Sequence, residues 1–117
     1  MQIQINTDHH IEGRESLAAH VRGVVEDALK RFDEHITRVE VHLSDENANK
    51  SGKHDKRCVI EARLRGRPPV AVTQHAETLH QAIDGASDKV TRLIESALGR
   101  AVGTISSGPA PGVAEDG

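Results

Sequence analysis

The sequence predicts an α+β domain of order β-α-β-β-β-α, folded as a two-layer sandwich. Both helices lie on one face of a four-stranded, mostly antiparallel sheet. Three observations lead there. Two long stretches carry apolar residues at steps of three and four, the spacing of one helical face. Shorter stretches alternate apolar and polar residues, the period of a strand with one buried face. Polar or Pro- and Gly-containing breaks separate these segments.

Ile3 and Ile5 alternate with Gln2, Gln4 and Asn6 as a short first strand, which Asp8-His9-His10 and Gly13 interrupt. From about Arg14 to Glu34 the stripe is Leu17, Ala18, Val21, Val24, Val25, Ala28, Leu29 and Phe32, one face of the first helix. Its outer face sets Arg22, Glu26 and Lys30 four residues apart, and Asp27 with Arg31. Such pairs contribute about a few tenths of a kcal/mol each. Period two returns at Val39, Val41 and Leu43, with Arg38, Glu40, His42 and Ser44 on the opposite, wet side.

Residues 45–55 are polar throughout and read as a hairpin loop longer than most, a class of loop that is often functional or mobile. The third strand is expected from about Arg57 to Arg65. Cys58, Ile60, Ala62 and Leu64 share its inner face; Arg57, Val59, Glu61, Arg63 and Arg65 share the outer one. Gly66-Arg67-Pro68-Pro69 is a turn, since neither proline can donate to a ladder. Val70 to Thr73 forms the fourth strand. Thr78 with Gln81 fits a capping box, and the second helix runs to about Leu98. Its stripe is Leu79, Ala82, Ile83, Ala86, Val90, Leu93, Ile94 and Ala97, and Gly99 is a natural stop. Residues 1–99 are thus expected to form one domain, and 100–117 a flexible tail of Gly, Ala, Ser, Pro and Val without period.

Composition narrows the function classes. A chain of 117 residues suits one domain. One Phe and no Tyr or Trp leave Val, Leu, Ile and Ala to build the core. A single Cys excludes an intramolecular disulfide and a multi-Cys zinc site. No apolar run is long enough to span a membrane, and the first residues lack the basic start and apolar block of a signal peptide. A soluble cytoplasmic protein is expected.

The formal charge of −3 hides an asymmetry. Residues 1–49 hold 5 basic and 10 acidic side chains, and 68–117 hold 3 and 6. Residues 50–67 hold 7 basic against 2 acidic, a local charge of +5. An acidic protein can still offer such a segment to an anionic partner, although a solubilising surface has the same composition. Arg63 and Arg65, two apart on a strand, point the same way, and Arg67 continues the row if the turn has not yet bent it away. Lys56 and Arg57 start that strand, and Lys50 and Lys53 precede it. A row of guanidiniums suits phosphate oxygens; an edge strand kept soluble by charge is the competing reading. With no aromatic interleaved, contact is expected to be with backbone and shape rather than stacked bases.

Other constellations carry less. Eight His include no i, i+4 pair on a helix, and scattered surface histidine fits better than a metal site. Asp45, Asn47 and Asn49 occupy positions 1, 3 and 5 of a calcium-loop pattern, but Lys50 and Lys56 break it at 6 and 12. Cys58 on the inner face reads as a small core residue. No phosphate loop or nucleophile elbow is present. No cofactor, metal or catalytic residue is assigned, and an enzyme is not expected.

Three stretches carry a family resemblance: Met1-Gln2-Ile3-Gln4-Ile5 followed by His9-His10-Ile11-Glu12; residues 35–44, His35-Ile36-Thr37-Arg38-Val39-Glu40-Val41-His42-Leu43-Ser44; and Ala76-Glu77-Thr78-Leu79-His80-Gln81-Ala82-Ile83-Asp84 with Asp88-Lys89. In order and spacing they resemble the short ribosome hibernation-promoting factor and ribosome-associated inhibitor family, also known as sigma-factor modulation proteins, over about residues 1–98. The resemblance implies a double-stranded-RNA-binding-like fold. It also implies a non-enzymatic stress factor, bound to the small ribosomal subunit in the channel of messenger and transfer RNA, that inhibits translation and promotes ribosome hibernation. It brings Lys30, Arg31, Lys89 and Arg92 to the candidate rRNA contacts, beside Lys56, Arg57, Arg63, Arg65 and Arg67. The chain departs from the family where Val24 and Asp27 stand at commonly basic positions, where His80 replaces a tyrosine, and where Glu95-Ser96-Ala97-Leu98 replaces a basic helix end. The implied partner is rRNA of the small subunit, with no membrane, no small-molecule substrate and a monomeric chain. The alternative is a protein-interaction or regulatory module that has lost ribosome binding. Its contact surface would be Glu26, Asp27, Asp33 and Glu34 with the 45–55 loop.

Overall fold

A computed structural model describes residues 1–8, 11, 13–45 and 55–99, and the backbone of the last helix on to Ser106. The elements are β1 (Gln2–Thr7), α1 (Arg14–Leu29), a 3-10 stretch (Lys30–His35), β2 (Ile36–Asp45), β3 (Lys56–Leu64), β4 (Val70–Ala76) and α2 (Leu79–Ser106). The strands lie in the order β1-β2-β3-β4. β1 runs parallel to β2, and the other two pairings are antiparallel, giving a mixed sheet. This is the expected α+β order and layering.

One face of the sheet is apolar because the alternation places it so. Val39, Val41, Cys58, Ile60 and Ala62 are fully buried, facing Val21, Val25 and Leu29 of α1 and Ala82, Ile83, Ala86, Val90 and Ile94 of α2. Burying each Val, Leu or Ile stabilises the fold by about 1.5–3 kcal/mol. α1 begins after Gly13, whose φ of 65° lies in the left-handed region open to glycine. The helix expected to reach Glu34 instead tightens to 3-10 winding at Lys30. In that winding residues three apart eclipse, so Phe32 falls over Leu29 and stays in the core.

Further boundaries differ from expectation, β4 among them, which runs on past Thr73 to Ala76. β3 stops at Leu64, and Arg67 N–H donates to Leu64 O across a turn at 3.4 Å. Gly66 has φ 67° at the third turn position, where a type II turn calls for glycine. α2 starts as expected, with Gln81 N–H donating to Thr78 Oγ1 at 3.1 Å. It then passes through Gly99 to Ser106, because a helix continues through an exposed glycine at a cost of only about 1 kcal/mol. The rest of the predicted tail, 107–117, lies outside the described residues.

Both outer strands are capped by a cation from a helix. Arg22 of α1 donates to the carbonyl of Ile3 in β1 at 3.1 Å. Lys89 of α2 donates to the carbonyl of Thr73 in β4 at 3.2 Å. Such caps satisfy backbone acceptors that an open sheet edge exposes. No helix among the described residues is long and apolar enough to cross a membrane.

Two expectations follow for stability. Ile60→Ala should lower the unfolding free energy by about 2–5 kcal/mol, read from the urea midpoint at unchanged slope. Burial pushes the Cys58 thiol from 9.0 up to about 12. Above pH 9 the unfolded chain therefore releases a proton that the folded chain keeps. Stability falls as pH rises from 9 toward 12, approaching tenfold in the folding constant per pH unit. Urea titrations at pH 8, 9 and 10 should show this loss, and Cys58→Ala should flatten it. An equally steep loss in Cys58→Ala would show that the thiol is not its source.

Candidate nucleic-acid interface

The helices cover one sheet face, and the strand registers fix what the other presents. Arg38 lies opposite Arg63, Glu40 opposite Glu61, His42 opposite Val59 and Ser44 opposite Arg57. β4 adds Ala71 beside Glu61, Thr73 beside Val59 and His75 beside Arg57. β1 adds Gln2 beside Arg38, Gln4 beside Glu40 and Asn6 beside His42. The face thus reads, from one end to the other, as a guanidinium pair, a carboxylate pair, a mostly neutral row containing His42, and Arg57 with His75.

Along β2 these groups interact. Glu40 accepts from Arg38 Nη2 at 3.0 Å and lies 3.4 Å from His42 Nε2. Arg38 also donates to the Gln4 side-chain oxygen, while its Nε is buried without a partner. Like charges directly opposite each other destabilise a sheet. The Arg38–Arg63 and Glu40–Glu61 pairs therefore work against the fold unless neighbours of opposite sign offset them, as Arg38 does for Glu40.

The candidate cations divide into groups. Arg63 and Arg67 are exposed and make no side-chain bond among the described residues. Arg57 is half-buried on the open face. Arg65 does not continue the row, which corrects the sequence expectation: the strand has ended, and Arg65 Nε donates to the Glu34 carbonyl at 2.9 Å. Lys56 turns to its own hairpin base, 3.1 Å from Asp55 and 3.4 Å from Asp45. The hydrogen bond to Asp55, helped by Asp45 and opposed by desolvation, raises its pKa. Lys50 and Lys53 lie outside the described residues.

On the helices, Arg31 pairs with Glu95 and lies 4.6 Å from the Phe32 ring centroid. Arg92 pairs with Asp88 at 3.0 Å. Lys89 is held by Thr73 as described. Lys30 is exposed, but the groove it lines also holds Glu26, Asp27 and Asp33. The outer-face spacing predicted ladders within α1; instead Arg22 bonds β1 and Arg31 bonds α2. Partners across the fold outcompete the i+4 neighbour.

Sequence reasoning placed Arg38 on the wet face but did not count it among the candidate cations. Its alternation with Val39 was visible, but only the pairing of β2 with β3 sets it against Arg63. The same holds for His20 and His80, whose rings pack 4.4 Å apart between α1 and α2 although 60 residues separate them. Among the described residues no three His, Cys, Asp or Glu side chains are placed to hold a metal ion. Cys58 is buried, as its inner-face position predicts.

A family model described as "Sigma 54 modulation protein / S30EA ribosomal protein" matches residues 3–101. No curated protein sequence matches. Among solved structures, the chain resembles the N-terminal domain of Protein Y from Thermus thermophilus, with 26% identity and a TM-score of 0.60, covering 83% of this chain and 99% of that one. It also resembles a ribosomal subunit interface protein from Coxiella burnetii in fold, with 15% identity and a TM-score of 0.62, covering 84% and 98%.

Lys56 provides a test of which cations serve the fold. Asp55 is only 7% exposed, and its Oδ2 has no hydrogen-bond partner. Removing the ammonium leaves that carboxylate buried and unpaired. Lys56→Met should lower the melting temperature, and Asp55→Asn added to it should recover part of the loss. Equal melting temperatures for Lys56→Met and the unaltered protein would return Lys56 to the pool of free cations.

Proposed function

The chain belongs to the sigma-54 modulation protein and S30EA ribosomal protein family, and from that premise we propose that it docks on the small ribosomal subunit and contacts rRNA phosphates. The observation that carries the reading is the sheet face the helices leave open, where Arg57 and Arg63 stand, with Arg67 exposed on the adjoining turn. Guanidiniums on a surface without Phe, Tyr or Trp suit phosphate oxygens rather than stacked bases. The Protein Y domain and the subunit interface protein share this architecture. The protein acts by occupancy: bound to the subunit it inhibits translation and holds idle ribosomes in hibernation, without catalysing a reaction. Lys30, Lys89, Arg31 and Arg92 contribute less, because three of the four are already engaged within the fold.

A second reading has its own support. The groove between the helices is lined by Asp27, Asp84 and Asp88 with Val24, Ala28 and Thr91. That surface repels phosphate, and a protein partner would use it.

Co-sedimentation with purified small subunits separates the two. The protein should pellet with subunits at low salt and be released as salt rises, since each phosphate contact adds about 0.7–0.9 to the salt slope. Arg63→Glu with Arg67→Glu should release it at least tenfold more readily. Protein that stays in the supernatant at low salt would rule the ribosomal reading out. A nuclease-resistant partner with no ribosomal protein would favour the second.

A further inference from the structure

The open face alternates in sign along its length, which a simple phosphate track would not. Arg57 and Arg63 are six residues apart on β3, about 20 Å at strand rise. Arg38 doubles the Arg63 end, and His75 lies beside Arg57 at the other. Between them Glu40 and Glu61 face each other across β2 and β3. The pair is unfavourable for the sheet and hostile to phosphate, so a nucleic-acid backbone cannot lie along the middle of this face.

A duplex avoids the conflict if its two backbones meet the two cationic ends and a groove faces the carboxylates. A-form RNA offers such a groove, wide and shallow, with 2′-hydroxyls along it. A 2′-hydroxyl is a donor, and a carboxylate is an acceptor only; the resulting O–H to carboxylate bond is charge-assisted. DNA presents no such donor. We propose that the open sheet face binds double-stranded RNA across its minor groove, with Arg63 and Arg57 on the flanking backbones and Glu40 and Glu61 accepting from 2′-hydroxyls. The inference deepens the rRNA reading and rests on it for the choice of RNA. It names a duplex segment as the element contacted and makes the two glutamates the residues that select RNA over DNA. Glu40 is held in place between Arg38 and His42, each of its two oxygens near one of them, and each oxygen keeps a second lone pair for a further donor. Recognition is by shape and sugar, not by sequence, because the face carries no Phe, Tyr or Trp side chain.

The test uses the full chain and three duplexes of one sequence, about 16 base pairs long: RNA, DNA, and RNA carrying 2′-O-methyl sugars. The methylated duplex keeps the A-form and loses the donor. Binding is followed by fluorescence anisotropy at low and moderate salt, and folding of each variant by circular dichroism. RNA should bind at least tenfold more tightly than either of the others. Glu40→Ala with Glu61→Ala should bring the three within about twofold, with DNA gaining affinity as the repulsion disappears. Arg57→Ala with Arg63→Ala should weaken all three alike and reduce the salt slope by about two units. Equal affinity for RNA and its 2′-O-methyl form overturns the proposal, as does a preference unchanged by the glutamate substitutions, or no duplex binding at low salt. If the double glutamate variant fails to fold, the comparison of RNA with its methylated form in the unaltered protein decides alone. Parallel co-sedimentation keeps the two ideas apart. Subunit binding without RNA-over-DNA selectivity removes this inference only; selectivity without subunit binding removes the ribosomal reading only.

Discussion

Burial of a single sheet face beneath two helices is the constraint from which the rest of this domain follows. The strands alternate apolar and polar residues, so packing Val39, Val41, Ile60 and Ala62 inward sends Arg38, Glu40, Glu61 and Arg63 outward. A slip of one residue by β3 against β2 would turn β3 over, burying Glu61 and Arg63 and exposing Ile60 and Ala62. The hydrophobic register therefore also sets the charge pattern of the exposed face. With two helices available and both spent on the inner side, nothing in the described chain covers the outer one.

Charge follows a different logic on the two layers. Four of the helical cations are absorbed by the fold: Arg22 and Lys89 cap the outer strands, Arg31 ties the end of α1 to α2, and Arg92 pairs within its own helix. Exposed ion pairs of this kind contribute about 0–1 kcal/mol each, less at higher salt. Their larger effect is on availability, since a guanidinium held by a carboxylate has fewer donors left for phosphate. The sheet and its turn keep Arg63 and Arg67 without such partners among the described residues. Among the described residues Arg63 and Arg67 thus leave unneutralised positive charge on the β3 side, while the inter-helix groove is acidic.

Family membership and surface chemistry bear on different questions. Membership ties the chain to ribosome-associated proteins. The surface bears on how this member makes contact. Asp27 and Asp84 lie between the helices while the Arg38–Arg63 pair stands on the sheet, so under the proposed rRNA reading the strands, not the helices, would carry phosphate contact. The central carboxylates would then narrow the choice of polyanion rather than add affinity.

Element order, the inward residues and the Thr78 cap were legible from sequence because each depends on local periodicity or on side chains within one turn. So was the concentration of basic residues between 50 and 67. The candidate site was legible only in part. That Arg65 leaves the row depends on where Gly66 turns the chain. That Lys56 serves the hairpin depends on Asp45 and Asp55 meeting at its base. Arg38 joins Arg63, and Glu40 meets Glu61, only through the β2–β3 register. The sequence by itself determined which residues are charged and which side of its own element each one faces. Only the tertiary structure decided which charges meet, because an ion pair acts over a few ångströms and those few ångströms are set by strand pairing and helix packing between residues far apart in the chain.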